Sequence, residues 1–429
     1  MNQEKSDSLR IAVADGQPID LVNVRFIDPA SGTDRVTNVR LQDGQATLCE
    51  ATCITHPVDG RGLWLMPGII DLAARVREPG ATHKATMASE LPAALAAGIT
   101  RLCLPPDTWP VVDNPAVVVR INAIAQAAGG AHLHPLGALT QGLEGAALAE
   151  MSALKQAGCV GVSNAGCPMA DLRTTRRALE YAGGLGLTVH VQPQDASLAE
   201  DGCAHDGPVA LKLGLVPIPV AAETAALRQW ISLAEETGTR IHFGRLSSAR
   251  GVELVARAKA RGLAITADAA AHQLFLTEAD IDGFDPLCHV IPPLRSAADR
   301  DALRDALRDG TLDALCSDHQ PHEADAKTNP FPLTAPGISG LETLLPLALQ
   351  LVADGSLTPL QMATRLSLAP QRILGLAPTG AAYIAGWLLV DPERAWTVDD
   401  TSLRSRGHNT PFLGRTLHGR VRQVFLPPD

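Results

Sequence analysis

From about residue 63 to residue 375 the sequence alternates short apolar runs with longer Ala/Leu-rich segments, and few folds accept that rhythm for so long. The runs ITRLCLPP, GCVGVS, GLTVHVQ, TRIHFGRL, GLAITADA and TLDALCSDH are short and apolar, as buried parallel strands are. Between them stand ELPAALAAG, DLRTTRRALEYAGGLG, AALRQWISLAEETG and GVELVARAKARG. Each of these ends at a glycine just before the next strand, where a helix C-cap is expected. Strand and helix in steady succession predict an α/β fold with a parallel barrel over 63–375. The 429 residues suit one such barrel, of roughly 250 residues or more, with a smaller unit beside it.

The rhythm changes on both sides. Residues 8 to about 62 read as strands, in SLRIAV, IDLVNVRFID and NVRLQDG, broken by Asp-Pro, Ser-Gly and Asp-Gly turns. AAYIAGWLLVDPERAWTV opens a second stretch of strands and turns near the C-terminus. The expected division is 1–62 and 376–429 as two parts of one small β domain, flanking the barrel at 63–375.

Composition narrows the partners. Lys plus Arg is 36 against 46 for Asp plus Glu, a net charge of −10, with no basic block to neutralise phosphates. Aromatic residues are 3%, too few for base-stacking platforms, so no nucleic acid is expected. MNQEKSDSLR lacks the apolar core of a signal peptide, and no run of about 18 apolar residues occurs, so no membrane association and a cytoplasmic location are expected. The eight cysteines (49, 53, 103, 159, 167, 203, 288, 316) include no C-x-x-C pair. They read as small buried hydrophobes, neither a disulfide framework nor a thiolate metal site. Cys316 has no neighbouring base in sequence to make it a nucleophile.

MPGIIDLAARVREPG, PPDTWPVVD, IPPLRSAADRDALRDALRDGTLDALCSDHQPH, APGISGLETLLPLAL and NTPFLGRTLHGRV, in this order, resemble dihydroorotase, of the cyclic amidohydrolase branch. The resemblance implies a TIM-like (β/α)8 barrel of the amidohydrolase type with a composite β-sandwich. It also implies one or two zinc ions at the C-terminal ends of the strands, activating water for attack on a cyclic amide.

Carried over position by position, the implied zinc ligands are largely missing. The family's first strand reads Asp-x-His-x-His-x-Arg-x-Pro-Gly. Here the positions hold Asp71, Ala73, Arg75, Arg77, Pro79 and Gly80, so both histidines are replaced and the substrate-carboxylate arginine remains as Arg77. The bridging carboxylate position falls at Asn164 in VSNAGCP, followed by Ala165 and Gly166. The next histidine is replaced by Gln192 in VQPQD, and the one after it by Arg245 in GRLSS. Of the set, Asp318 survives, in SDHQPH with His319 and His322. Zinc needs three or four donors in tetrahedral reach. Arginine stays protonated and offers no lone pair, so Arg75 and Arg245 repel a cation. No metal is therefore expected, and Asp318 is expected to be a buried carboxylate paired with Arg75 or Arg245.

The family's substrate-side asparagine is Asp107 here, repulsive to a dianion, with Arg77 expected to offset it. His322 and the turn Ala335, Pro336, Gly337 persist as relics of an anion pocket. His132 and His134 in HLH, and His190 beside Gln192, are the residues left to supply an unexpected metal site. Ordinary packed histidines are the plainer reading of all three.

The resemblance extends to inactive dihydroorotase-like chains that associate with the catalytic chain of aspartate transcarbamoylase and support its assembly. It implies a homo-oligomeric, non-catalytic subunit in pyrimidine (UMP) biosynthesis. Two alternatives stand beside it. One is an active zinc-dependent dihydroorotase, or a hydantoinase or allantoinase, acting on cyclic amides. The other is a ligand sensor binding a pyrimidine precursor through Arg77 and His322 without turnover.

Overall fold

A computed structural model describes residues 10–13, 18–50, 57–376 and 383–427. The stretch MNQEKSDSL, Cys53 and the first two residues of AAYIAGWLLV lie outside it. The chain opens with β1 (Arg10–Val13), β2 (Ile19–Asp28), β3 (Thr33–Gln42), β4 (Gln45–Leu48), β5 (Pro57–Asp59) and β6 (Trp64–Pro67). There follow β7 (Ile69–Asp71), β8 (Ile99–Leu104), β9 (His132–Pro135), β10 (Gly137–Ala138), β11 (Gly161–Ser163) and β12 (Thr188–Val191). A short parallel pair, β13 (Ala204–His205) and β14 (Pro217–Ile218), precedes β15 (Ile241–Phe243), β16 (Ile265–Ala270) and β17 (Ala314–Cys316). The chain returns through β18 (Trp387–Thr397) and β19 (Thr416–Leu426).

Two sets of parallel strands form the centre, in the orders β7-β8-β9 and β10-β11-β12-β15-β16-β17. They are parts of one cycle. Leu136 alone separates β9 from β10, and its N–H bonds to Leu104 O at 2.9 Å. At the other end, Ala74 beyond β7 bridges in parallel to His319 beyond β17, with Arg75 N donating to His319 O at 2.9 Å. The strand order thus closes on itself. Strands β12 and β15 are buried at every position, as expected of strands covered on both faces. Among the connecting helices, Val220–Thr237 ends at Gly238, whose φ of +66° suits a left-handed cap that side chains resist.

Both chain ends meet in one hydrogen-bonded sheet, along the path β1-β19-β18-β6-β2-β3-β4 with β5 on β2. Because β6 pairs with β18 and β2, the sheet reaches Pro67, beyond the sequence boundary at residue 62. It has its own core: Phe26 packs on Trp387 at 5.3 Å between ring centroids, and Tyr383 meets the same indole edge-on at 5.2 Å. The Tyr383 hydroxyl donates to Asp28 Oδ1 at 2.5 Å, tying the two ends of the chain together. Among the described residues, no helix is long and apolar enough to cross a membrane.

Candidate functional site

The chain segments leaving β7, β11, β15 and β17 at their C-terminal ends share an unusual backbone. Arg77 (φ +63°), Ala165 (+50°), Arg245 (+60°) and Asp318 (+44°) all occupy the left-handed region, which L side chains enter at a cost. Three of the four carry charges, and two of these, Arg245 and Asp318, meet.

Asp318, 2% exposed, lies with Oδ1 3.5 Å from Arg245 Nη1 and 3.7 Å from Arg75 Nη1. Gln320 Nε2 donates to the same oxygen at 3.3 Å. Arg75 directs its shorter contact elsewhere, donating Nε–H to Asp107 Oδ2 at 2.7 Å. Burial works against the charge on Arg75, but Asp107 and Asp318 outweigh it and raise its pKa. Asp107 is its counterpart: burial raises its pKa, while Arg75, Arg77 and Arg245 bring it below the usual carboxylate range. The carboxylate at position 107 is therefore offset first by Arg75, which donates to it directly, with Arg77 contributing a part.

Arg77 turns away, donating to Pro321 O at 3.0 Å and lying 3.0 Å from His322 Nε2. Burial, with Arg75 nearby, lowers its pKa to about 10. His322 is neutral at ordinary pH, since burial and the cations Arg77 and Lys84 lower its pKa to about 3. Lys84 Nζ lies 2.9 Å from its Nδ1, and Pro336 O 3.1 Å from its Nε2. Gly337 closes this turn at φ +131°; a Cβ there would stand 2.5 Å from Gln320 Cβ. Asn409 clamps the assembly, accepting from His322 N at 2.8 Å and donating to Gln320 O and Gly337 O. Thus Arg77, His322, Ala335, Pro336 and Gly337 form one neighbourhood, with Asp107 on its Arg75 side.

The remaining positions are committed to the scaffold. Ala73 offers a buried methyl group. Asn164 accepts from Thr140 Oγ1 at 2.7 Å and donates to Cys167 O at 3.0 Å, holding its loop. Gln192 accepts from Arg245 Nη2, and its amide reaches Ile291 O at 3.4 Å. A divalent cation does not fit this donor set: one carboxylate oxygen faces the centre, flanked by two guanidinium groups. Among the described residues no group of three or more His, Cys, Asp or Glu side chains is placed to hold a metal.

The histidines considered as substitutes lie elsewhere. The rings of His132 and His134 meet at 4.6 Å, tilted by 52°, on β9 beside Arg101, which donates to Ile384 O. Burial, His132 and Arg101 lower the His134 pKa to about 3. His190 packs against His242 at 5.2 Å, and its buried Nε2 has no partner. Burial and His242 bring its pKa to about 3.

Several supports escaped the sequence reading. Asp268 joins His242 Nε2 at 2.9 Å and accepts from Arg245 N at 2.6 Å, fixing the strained residue beneath the centre. His319, fully buried, accepts from Gly340 N through Nδ1, so Nε2–H donates to Glu90 at 2.9 Å. Glu90 also takes Ser405 Oγ, Ser89 Oγ and Arg406 N. Glu223 gathers the N–H and hydroxyl groups of Ser247 and Ser248. A charged residue on an otherwise apolar helix face was the available signal for Glu90 and Glu223. Cys316 is fully buried, with burial and three carboxylates raising its pKa well above the usual thiol range, so it is no nucleophile.

A cycle of parallel strands with polar side chains gathered past their C-terminal ends defines the chain as an α/β protein. An L-hydantoinase from Arthrobacter aurescens shares the fold at a TM-score of 0.83 and 21% identity, over 96% of each chain. Residues 62–250 match the family described as Dihydro-orotase-like. A dihydroorotase-like protein of Pseudomonas aeruginosa is 47% identical over 415 residues, 95% of this chain and 98% of its own. A dihydroorotase of Anaeromyxobacter dehalogenans is 42% identical over 411 residues, 94% of this chain and 95% of its own. The chain belongs to the dihydroorotase-like family.

Proposed function

We propose that this chain is a non-catalytic, dihydroorotase-like subunit of pyrimidine (UMP) biosynthesis, a pseudoenzyme that supports assembly of aspartate transcarbamoylase. In this reading its central unit is a TIM-like (β/α)8 barrel at 63–375. The segments 1–62 and 376–429, together with the strand that runs on to Pro67, make the composite β-sandwich, and the protein works in the cytoplasm as a homo-oligomer bound to the transcarbamoylase catalytic chain. No zinc takes part.

One observation carries the loss of chemistry: Arg75 and Arg245 both point at Asp318 where a cation would stand. A guanidinium supplies positive charge without an open coordination position, so it keeps the buried carboxylate neutralised but cannot lower the pKa of a water. Arg77, Asp107, His322 and the turn Ala335–Gly337 remain as relics of a substrate pocket, maintained by Asn409 and Lys84 because they also hold the loops together.

The second reading, an active zinc-dependent dihydroorotase or a related cyclic amidohydrolase, draws support from the 42% identity to a protein named dihydroorotase. Co-purification with the aspartate transcarbamoylase catalytic chain of the same organism, followed by light scattering, tests the first reading. A stable complex of fixed stoichiometry, with transcarbamoylase activity that depends on this chain, is expected. Two independent peaks and full transcarbamoylase activity without it would overturn the assembly role.

A further inference from the structure

The segments that leave the strand cycle at its C-terminal ends differ in charge from the rest of the chain. Residues 72–86, 105–114, 139–150, 164–171, 192–219, 244–248, 271–296 and 317–340 together hold 17 Asp and Glu against 7 Lys and Arg. That difference matches the net charge of the whole chain, −10, so the remainder is balanced. Burial sharpens the contrast. Arg245, Arg295 and Lys327 are buried, and Arg75 and Arg77 turn onto the relic site. Lys84 pairs with Glu323 at 3.2 Å, and Lys212 with Asp282 at 3.0 Å.

One part of this face is also apolar. Between β12 and the helix Val220–Thr237 the chain makes an excursion, 192–219, that carries the pair β13–β14 and the short helix Pro208–Leu213. That helix is anchored on the segment 278–282: Val209 N donates to Glu278 Oε2 at 3.4 Å, and Lys212 joins Asp282. It buries Ala210, while Leu211 beside it is 85% exposed. Val216, just before β14, is 47% exposed, and Phe284, two residues past Asp282, is 45% exposed. Phe284 sits at φ +63° next to Gly283 at +80°, a conformation that a bulky side chain enters at a cost. Single exposed leucines are ordinary. Here three large apolar groups stand on two mutually anchored segments, which also carry the exposed carboxylates Glu200, Asp201, Asp206 and Asp282.

We propose that this excursion, with the turn at Phe284, is the docking surface for a folded protein partner that presents basic side chains around an apolar hollow. A second copy of this chain is disfavoured. A two-fold contact would set the same acidic face against itself, and a head-to-tail contact would meet a surface with no net charge to attract it. Nucleic acids and anionic lipid surfaces are repelled by the same charge. A surface of opposite sign fits, with Leu211 and Phe284 as anchors in the dry centre and the carboxylates at the rim, where charge speeds encounter and selects the partner. On the assembly reading, on which the partner's identity rests, that surface belongs to the transcarbamoylase catalytic chain.

The test is biolayer interferometry of the full chain against the transcarbamoylase catalytic chain of the same organism, with light scattering of the full chain alone. Leu211→Asp alters a side chain that is already in water, so its thermal midpoint is expected to stay unchanged while binding weakens by about tenfold or more. Glu200→Lys is expected to slow association, and raising salt from about 0.05 to about 0.5 M is expected to slow it likewise. Val119→Asp, exposed on the helix Pro115–Ala128, is the control and is expected to bind as the unaltered chain does. If the complex forms and Leu211→Asp binds as tightly as the unaltered chain, the docking surface is elsewhere and the assembly role stands. If Leu211→Asp leaves that complex intact but breaks an oligomer of this chain, a second copy covers the excursion and the proposal is overturned. If the unaltered chain forms no complex, the assembly reading falls and takes this proposal with it.

Discussion

Arg245 Nη1 stands 3.5 Å from Asp318 Oδ1, both side chains almost wholly buried and both backbones in the left-handed region. Asp268 fixes Arg245 from below through its backbone N–H, and Gln192 holds the guanidinium from the side. A buried ion pair thus joins two strained strand ends.

The pair is expected to behave as a unit. Arg245→Met leaves Asp318 with Arg75 alone and is expected to cost about 2 to 4 kcal/mol, since a buried carboxylate loses a counter-charge. Asp318→Asn is also destabilising, because it leaves two guanidinium groups facing each other. The double variant is expected to fall short of the sum by 1 kcal/mol or more, as contacting residues do, a figure on the order of measured couplings. Strict additivity in urea unfolding would show that the two do not interact.

Asp71 carries a pH signature of opposite sense to the usual carboxylate. Burial raises its pKa from 3.8 to about 6, against the opposing effect of hydrogen bonds from Ser317 and Ala73. Between these two values the folded chain holds a proton that the unfolded chain has released, so stability falls as pH rises through this window. Above it the penalty is constant, about 3 kcal/mol. An amide keeps an acceptor for Ser317 N and gains a donor for Ser317 Oγ. Asp71→Asn is therefore expected to raise the thermal midpoint at pH 7.5 more than at pH 4.5. A gain that shrinks with rising pH would contradict this.

Glu90 behaves conventionally. Burial raises its pKa, but His319 and the Ser405 and Ser89 hydroxyls overcome this and bring it to about 2. Its contribution is present above the ordinary value of 4.5 and is lost as pH falls toward 2. Glu90→Gln turns an amide NH2 toward groups that already donate, and is expected to cost about 2 to 4 kcal/mol at neutral pH. A neutral effect in denaturant melts would remove Glu90 and His319 from the frame of the site.

Asn409 tests whether the relic pocket is held from the C-terminal segment. Asn409→Ala strands His322 N, Gln320 O and Gly337 O, and is expected to cost about 3 kcal/mol. It should also speed amide exchange across 320–322 and 335–337. Loss of stability without faster exchange there would place its role elsewhere.

Much of this was legible in the sequence because it rests on local patterns. Alternation of buried runs and helices is a period effect, so the cycle of parallel strands could be expected before any coordinates. That the carboxylate of Asp318 would be buried against Arg75 or Arg245 was readable from the residue types, and it lies beside both. What the sequence could not give were partners chosen at long range. Whether Asp107 would face Arg75 or Arg77 depends on which way Arg77 leaves the strand at positive φ, and that is set by Pro321 and His322, far along the chain. The supports Glu90–His319 and His242–Asp268 likewise join residues from separate elements.

The most direct test of the account is dihydroorotase turnover by the purified chain alone, in both directions, with zinc in excess. The account predicts no turnover above background, because Arg75 and Arg245 occupy the space and the charge that zinc would need. Zinc-dependent ring opening of dihydroorotate, or closure of carbamoyl aspartate, would show that a metal is held despite the two guanidinium groups and would contradict the central claim.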